Sequence, residues 1–314
     1  MYKYEKREEG KLYMKKLLSI ITAMAMIFCF MPPVRSFAAD KRTVEYTDYV
    51  SVGNNKFIPQ TKTAECTVID SANIISSLTN GQYAVKGDVT ISDRIKISGD
   101  VQLILTDGCT LNAEKGINLP ESSTLSICGQ SGGTGILNAN SNGYTAIGGE
   151  DGESCGTLNV YGGKVNANST NDDAAIGGGK STGGTAGNGG TVNVYGGKLN
   201  ALSDSGTAIG GGYCRVGTSG SGSKLSVYGG EVIALSSNSS RAIGKGSVTN
   251  GTPGSDGQTF ISGGSVSAYS KKLYGMAFDH APTYGTNYIP KVTYGESDTN
   301  TATEISPKST KIHI

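Results

Sequence analysis

Thr157-Leu158-Asn159-Val160-Tyr161-Gly162-Gly163-Lys164-Val165-Asn166-Ala167 recurs 34 residues on as Thr191-Val192-Asn193-Val194-Tyr195-Gly196-Gly197-Lys198-Leu199-Asn200-Ala201. It recurs again 33 residues later as Lys224-Leu225-Ser226-Val227-Tyr228-Gly229-Gly230-Glu231-Val232-Ile233-Ala234. A fixed period in the range of roughly 20 to 50 residues marks a stacked repeat, in which one unit cannot bury its apolar face without its neighbours. Within each copy the apolar residues alternate with polar ones. That period of two belongs to strands, with Leu and Val on one side and Asn, Ser and Tyr on the other.

Working outward, the first strand of the phrase has an earlier copy in Leu125-Ser126-Ile127-Cys128-Gly129 and a degenerate later one in Phe260-Ile261-Ser262-Gly263-Gly264. The strand after the glycine bend repeats six times, at Leu111-Asn112-Ala113, Leu137-Asn138-Ala139, Val165-Asn166-Ala167, Leu199-Asn200-Ala201, Val232-Ile233-Ala234 and Val266-Ser267-Ala268. A third element, Ala-Ile-Gly, occurs at 146–148, 175–177, 208–210 and 242–244. Three short strands per repeat, joined by bends, predict an all-β parallel β-helix of about six to seven turns. The repeat varies in length only after Ala-Ile-Gly, which places glycine-rich loops such as 177–184 and 211–217 along one side of the rod. Glycine, 47 of 314 residues, has no three-residue period and clusters at bends, so a collagen-like chain is excluded.

The repeats leave the two ends to be explained. Lys15 and Lys16 precede an apolar run from Leu17 to Met31, followed by Pro32-Pro33 and the small-residue site Ser36-Phe37-Ala38-Ala39. This order reads as a secretory signal peptide over residues 1–39 with cleavage after Ala39, leaving no membrane-spanning segment in the mature chain. Met14 reads as the true start. Residues 40–82 carry no repeat and read as an N-terminal cap, 83–281 as the β-helix, and 282–314 as a C-terminal cap and polar tail. Cleavage would remove seven of the 27 basic and three of the 26 acidic side chains, leaving a net charge of −3. Such sparse, mixed charge offers no basic face for nucleic acid. Five cysteines remain, an odd number without metal-ligand spacing; they read as small buried residues, with room for one disulfide.

In Val85-Lys86-Gly87-Asp88-Val89-Thr90-Ile91-Ser92, Leu103-Ile104-Leu105-Thr106-Asp107-Gly108-Cys109-Thr110-Leu111, the four Ala-Ile-Gly copies and the ending Val292-Thr293-Tyr294-Gly295, the chain resembles a group of proteins with a known architecture. These are the exported right-handed parallel β-helix repeat proteins of Gram-positive, Clostridia-like bacteria, within the pectate-lyase-like superfamily and of carbohydrate-binding type. The resemblance, over about 83–295, implies a right-handed solenoid in a secreted or extracellular protein, loosely associated with the cell surface. It implies a polysaccharide or cell-surface glycan as partner without specifying a chemistry.

Two groups of residues are candidates for function. By alternation Tyr161, Tyr195 and Tyr228 share a strand side with Asn159, Asn193 and Ser226, so stacking would align an aromatic row beside an amide row. Rings that pack on sugar C–H faces and amides that bond hydroxyls are recognition chemistry; the competing reading is that like residues stack only to stabilise adjacent turns. Glu150, Asp151, Asp172 and Asp173 lie in loops flanking Ala-Ile-Gly and would supply oxygen ligands to calcium if they converged; otherwise they are solvated charges and no cofactor is needed. No acid–base pair recurs. Arg94, Arg215 and Arg241 occupy unrelated repeat positions, and Lys164 and Lys198 give way to Glu231. The expectation is a non-catalytic polysaccharide-binding or surface-contact module, with a calcium-assisted polysaccharide lyase and a purely structural rod or adhesin stalk as alternatives.

Overall fold

The computed structural model describes residues 41–239, 241–271 and 276–286, together with the strands Val292–Gly295 and Thr303–Glu304. The proposed signal peptide lies outside the described residues. Among the described residues no helix is long and apolar enough to cross a membrane.

The protein is an all-β parallel β-helix. After an opening hairpin, the chain visits three ladders in cyclic order. The first ladder is a nine-stranded sheet that begins at Asp88–Ile91, runs through Ile136–Asn142, Lys164–Thr170 and Lys198–Ser203, and is parallel until its last strand, Thr303–Glu304. The second stacks Ile117–Asn118, Ile147–Gly148, Ile176–Gly177 and Ile209–Gly210. The third stacks Thr124–Gly129, Thr157–Val160, Thr191–Val194 and Lys224–Val227. The long strand Ile95–Leu105 belongs to two ladders, pairing with Ile117–Asn118 through its first residues and with Thr124–Gly129 through its last. On the first ladder the rungs extend one beyond the six sequence copies at each end, to Asp88–Ile91 and to Val292–Gly295. The winding therefore continues past residue 281, into the segment read as a C-terminal cap.

Register is residue-for-residue with the repeat. Leu158 pairs with Val192, Asn159 with Asn193, and Ala167 with Ala201. Inward Leu, Val, Ile and Ala from all three ladders merge into one buried column. Full burial of each Leu, Val or Ile is worth about 1.5–3 kcal/mol, and neighbouring turns share that burial, so no turn stands alone. Outside, the side-chain amides form their own ladder: Asn138 Nδ2 donates to Asn112 Oδ1 at 2.8 Å, Asn166 to Asn138 at 2.7 Å and Asn200 to Asn166 at 2.7 Å.

The glycine-rich loops are more ordered than spacers. Gly184–Thr185, Cys214–Thr218 and Val248–Thr252 form a fourth, short parallel sheet beside the rod. The close stacking explains the glycines at the second-ladder corner. Gly177 has φ of +143°, and a Cβ there would overlap the carbonyl oxygen of Gly210 on the next turn, so a side chain is excluded by both conformation and space.

The segment 40–82 does more than close an end. Strand β1 (Lys41–Ser51) pairs antiparallel with β2 (Phe57–Ile69) along its whole length, and β2 then joins β3 (Ser77–Val85) in parallel as the first rung of the third ladder. Ile69 and Leu78 enter the core. The rest of the hairpin lies over the outer face of the third ladder and runs along the stack, because it touches residues of successive turns: Gln130 Nε2 donates to the Glu45 carbonyl, and Ser262 Oγ donates to the Asn55 carbonyl at the hairpin tip.

Candidate functional site

The outward column of the third ladder reads Ala84, Ile104, Cys128, Tyr161, Tyr195 and Tyr228 in successive turns. The parallel register imposes ring stacking at the tyrosines. Tyr161 and Tyr195 have centroids 4.7 Å apart and planes within 4°, and Tyr195 and Tyr228 follow at 5.1 Å and 17°. Asn159 and Asn193 form the neighbouring polar row, with Asn193 Nδ2 donating to Asn159 Oδ1 at 2.9 Å and Asn159 Nδ2 to Ser126 Oγ at 3.2 Å. The two rows expected from the repeat are thus adjacent and continuous.

The aromatic row is not an open surface. The hairpin covers it with its own side chains: Tyr46 joins Ala84, Ile104 and Cys128 in one buried cluster, and Tyr49 sits 6.5 Å from Tyr161 and 6.4 Å from Tyr195. Phe57 lies 4.8 Å from Tyr195, edge-on, and 4.7 Å from Tyr228. Each tyrosine of the row is half-buried. Burial pushes the phenols of Tyr49, Tyr161 and Tyr195 above their ordinary value of 10.0, because a phenolate between rings would lose its hydration. The row is therefore first a seat for the hairpin, and its Tyr161 end lines two clefts.

Two clefts flank that end, one on each side of the hairpin, and Tyr161 lines both. The larger, about 450 Å³, is bounded by Thr47, Tyr49, Gln60, Gln130 and the glycine corner at Gly162 and Gly163. The other, about 400 Å³, is bounded by Asp48, Gln82, Asp100, Gln102 and Ser126. In the second cleft, Gln82 Nε2 donates to Gln102 Oε1 at 2.7 Å, Gln102 Nε2 to Cys128 Sγ at 3.3 Å, and Lys62 Nζ pairs with Asp48 at 2.5 Å. Asp100 is exposed and makes no ion pair among the described residues. An aromatic wall with amides, hydroxyls and a carboxylate suits a polyhydroxylated ligand.

The acidic residues lie in one neighbourhood, with Asp151 and Asp172 both acting through space on Asp173, but they are differently engaged. Asp173 is fully buried and closed by Lys180, whose Nζ lies 2.8 Å from its Oδ2 and also donates to the Gly143 carbonyl; among the described residues Asp173 Oδ1 has no partner. Burial, the larger effect, raises the Asp173 carboxyl above 3.8 despite the lysine. Glu150 Oε1 accepts from Asn118 Nδ2 at 3.1 Å and lies 3.9 Å from Arg94 Nε, whereas Asp151 and Asp172 are exposed. Among the described residues no three His, Cys, Asp or Glu side chains form a group able to hold a metal ion. Arg94 is buried beneath the Tyr144 ring and spends Nη1 on the carbonyls of Lys115 and Thr145 and Nη2 on those of Ile117 and Gly148, clamping several turns.

All five described cysteines are free and buried. Burial alone pushes Cys66 up to about 11 and is the main cause that takes Cys128 and Cys155 to about 12, so they pack as apolar residues and are not nucleophiles.

Sequence reasoning did not single out Asp48, Gln82, Asp100, Gln102 or Gln130. Gln82 and Gln102 stand in the polar column that continues to Ser126 and Asn159, but at spacings shorter than the period, and Asp48 is brought beside them only by the docked hairpin. Its strand signal was present in Thr43-Val44-Glu45-Tyr46-Thr47-Asp48-Tyr49-Val50 followed by the turn residues Gly53-Asn54-Asn55. No family model, curated protein or solved structure matches the chain.

Proposed function

We propose that the protein is an exported, non-catalytic β-helix that binds polysaccharide or a cell-surface glycan, with the clefts beside Tyr161 as its site. The observation that carries this reading is the placement of one half-buried ring between two open clefts lined by amides and hydroxyls, with two carboxylates in the second. The site is narrower than the whole Tyr/Asn face. Tyr195 and Tyr228 contribute by holding the hairpin that walls both clefts, and Asn159 supports the rim through Ser126.

Acid–base chemistry has weaker support, since the terminal nitrogens of Arg94 are spent on backbone carbonyls and Asp173 is closed on Lys180. A purely structural rod is the second reading, favoured by the hairpin's cover over most of the tyrosine row. The two readings separate on a panel of immobilised glycans. Binding that is lost in Gln60→Ala plus Gln82→Ala, with the melting temperature unchanged, supports the site. No binding to any member of the panel supports the rod, and binding unchanged by the double substitution moves the site elsewhere.

A further inference from the structure

We infer that the Tyr161 site selects glycans bearing free amino groups over N-acetylated and uronic acid glycans. This inference rests on the glycan-binding reading above and adds the charge of the ligand to it. Among the described residues neither cleft has a lysine or arginine in its lining. In the cleft beside Gln82 the hydrogen-bonding groups are unevenly used. Both polar atoms of Gln102 are occupied, one accepting from Gln82 and the other donating to Cys128. Asp48 is neutralised by Lys62 and also accepts from the Tyr49 amide. Each of the two amide nitrogens keeps a second hydrogen, so donors and acceptors are both left over; the uneven feature is charge, because among the described residues Asp100 is the carboxylate of this lining without an ion pair.

A cleft whose unneutralised group is a full negative charge favours a ligand that carries positive charge. The ammonium of an amino sugar supplies three donors and that charge at one atom, while the sugar's C–H face packs on Tyr161. A uronate carboxylate brings only acceptors and is repelled by Asp100, and an N-acetyl group supplies a single donor without charge.

The test is calorimetric titration of the full chain with a chitosan oligosaccharide, its N-acetylated counterpart and an oligogalacturonate, for the wild type and Asp100→Asn. An ion pair at this exposure corresponds to an about two- to fivefold preference. Wild type is expected to favour the amino oligosaccharide by that factor and to bind the oligogalacturonate most weakly. The preference should shrink towards one in Asp100→Asn and on adding salt, because exposed charges are screened. Asp100 is exposed, so the variant keeps its melting temperature. Equal wild-type affinities, tightest binding of the oligogalacturonate, or a preference retained in Asp100→Asn would overturn the charge selection while leaving glycan binding intact. Failure of the wild type to bind any of the three would overturn the glycan reading as well.

Discussion

Replacing Phe57 by Ala should release the far half of the hairpin from the rod. Phe57 makes two ring contacts, at 4.8 Å with Tyr195 and 4.7 Å with Tyr228, and aromatic pairs contribute about 0.5–1.5 kcal/mol each beyond their buried area. Half-burial of the ring itself adds about 1 kcal/mol on a scale where full burial is worth about 1.5–3 kcal/mol. The loss is therefore about 2–4 kcal/mol, and it falls on one element because the described contacts of that half reach the rod only through Tyr49, Phe57 and the Ser262–Asn55 bond. A two-stranded hairpin is marginal once undocked. At 1.4 kcal/mol per tenfold, amide exchange in residues 49–58 should accelerate by about thirtyfold to nearly a thousandfold. Hydrogen-exchange mass spectrometry reads this directly, with the strands 157–160 and 191–194 as internal controls. Unchanged protection of the hairpin tip would refute the claim that these rings hold it.

Gly177→Ala places a Cβ against the Gly210 carbonyl at φ of +143° and should cost about 3 kcal/mol or more, combining overpacking with backbone strain. Gly87→Ala, at φ of +68° with nothing near its Cβ, should cost about 1 kcal/mol, and the gap between the two in urea denaturation isolates the stacking term. Lys180→Met leaves the Asp173 carboxylate buried without its cation and should destabilise by about 3–5 kcal/mol near neutral pH, measured by thermal unfolding. In the wild type, burial holds the Asp173 carboxyl above 3.8, so the folded state keeps this proton longer than the unfolded state. The group's contribution to stability should consequently fall as pH rises from about 3.8 through its higher folded value, and Asp173→Asn should flatten that part of the stability profile.

The repeat was readable because a β-helix makes sequence period and structural register the same quantity: Leu158 pairs with Val192 because both stand at the same place in the phrase. The outward direction of the tyrosines followed from alternation in the same way. Whether they were open did not, since cover comes from residues 41–69, which share no period with what they cover and reach Tyr228 only through the fold. The glycine-rich loops were read as spacers, although a Gly-Thr pair at 184–185, 217–218 and 251–252 keeps the period and stands in register in their short sheet. The acidic residues show a limit as well. Asp172 and Asp173 are neighbours in sequence, yet one is exposed and the other is buried against Lys180, because they lie in the turn between Thr170 and Ile176, where no strand alternation assigns a side.

The central claim is that the hairpin lies on the tyrosine row, with clefts beside its Tyr161 end. Nuclear Overhauser contacts between the ring protons of Phe57 and those of Tyr195 and Tyr228, in protein with selectively protonated aromatic rings, test it most directly. The centroid separations of 4.8 and 4.7 Å predict cross-peaks to both tyrosines. Absence of both, with the contacts between stacked tyrosines present, would show the row to be uncovered and would contradict the account.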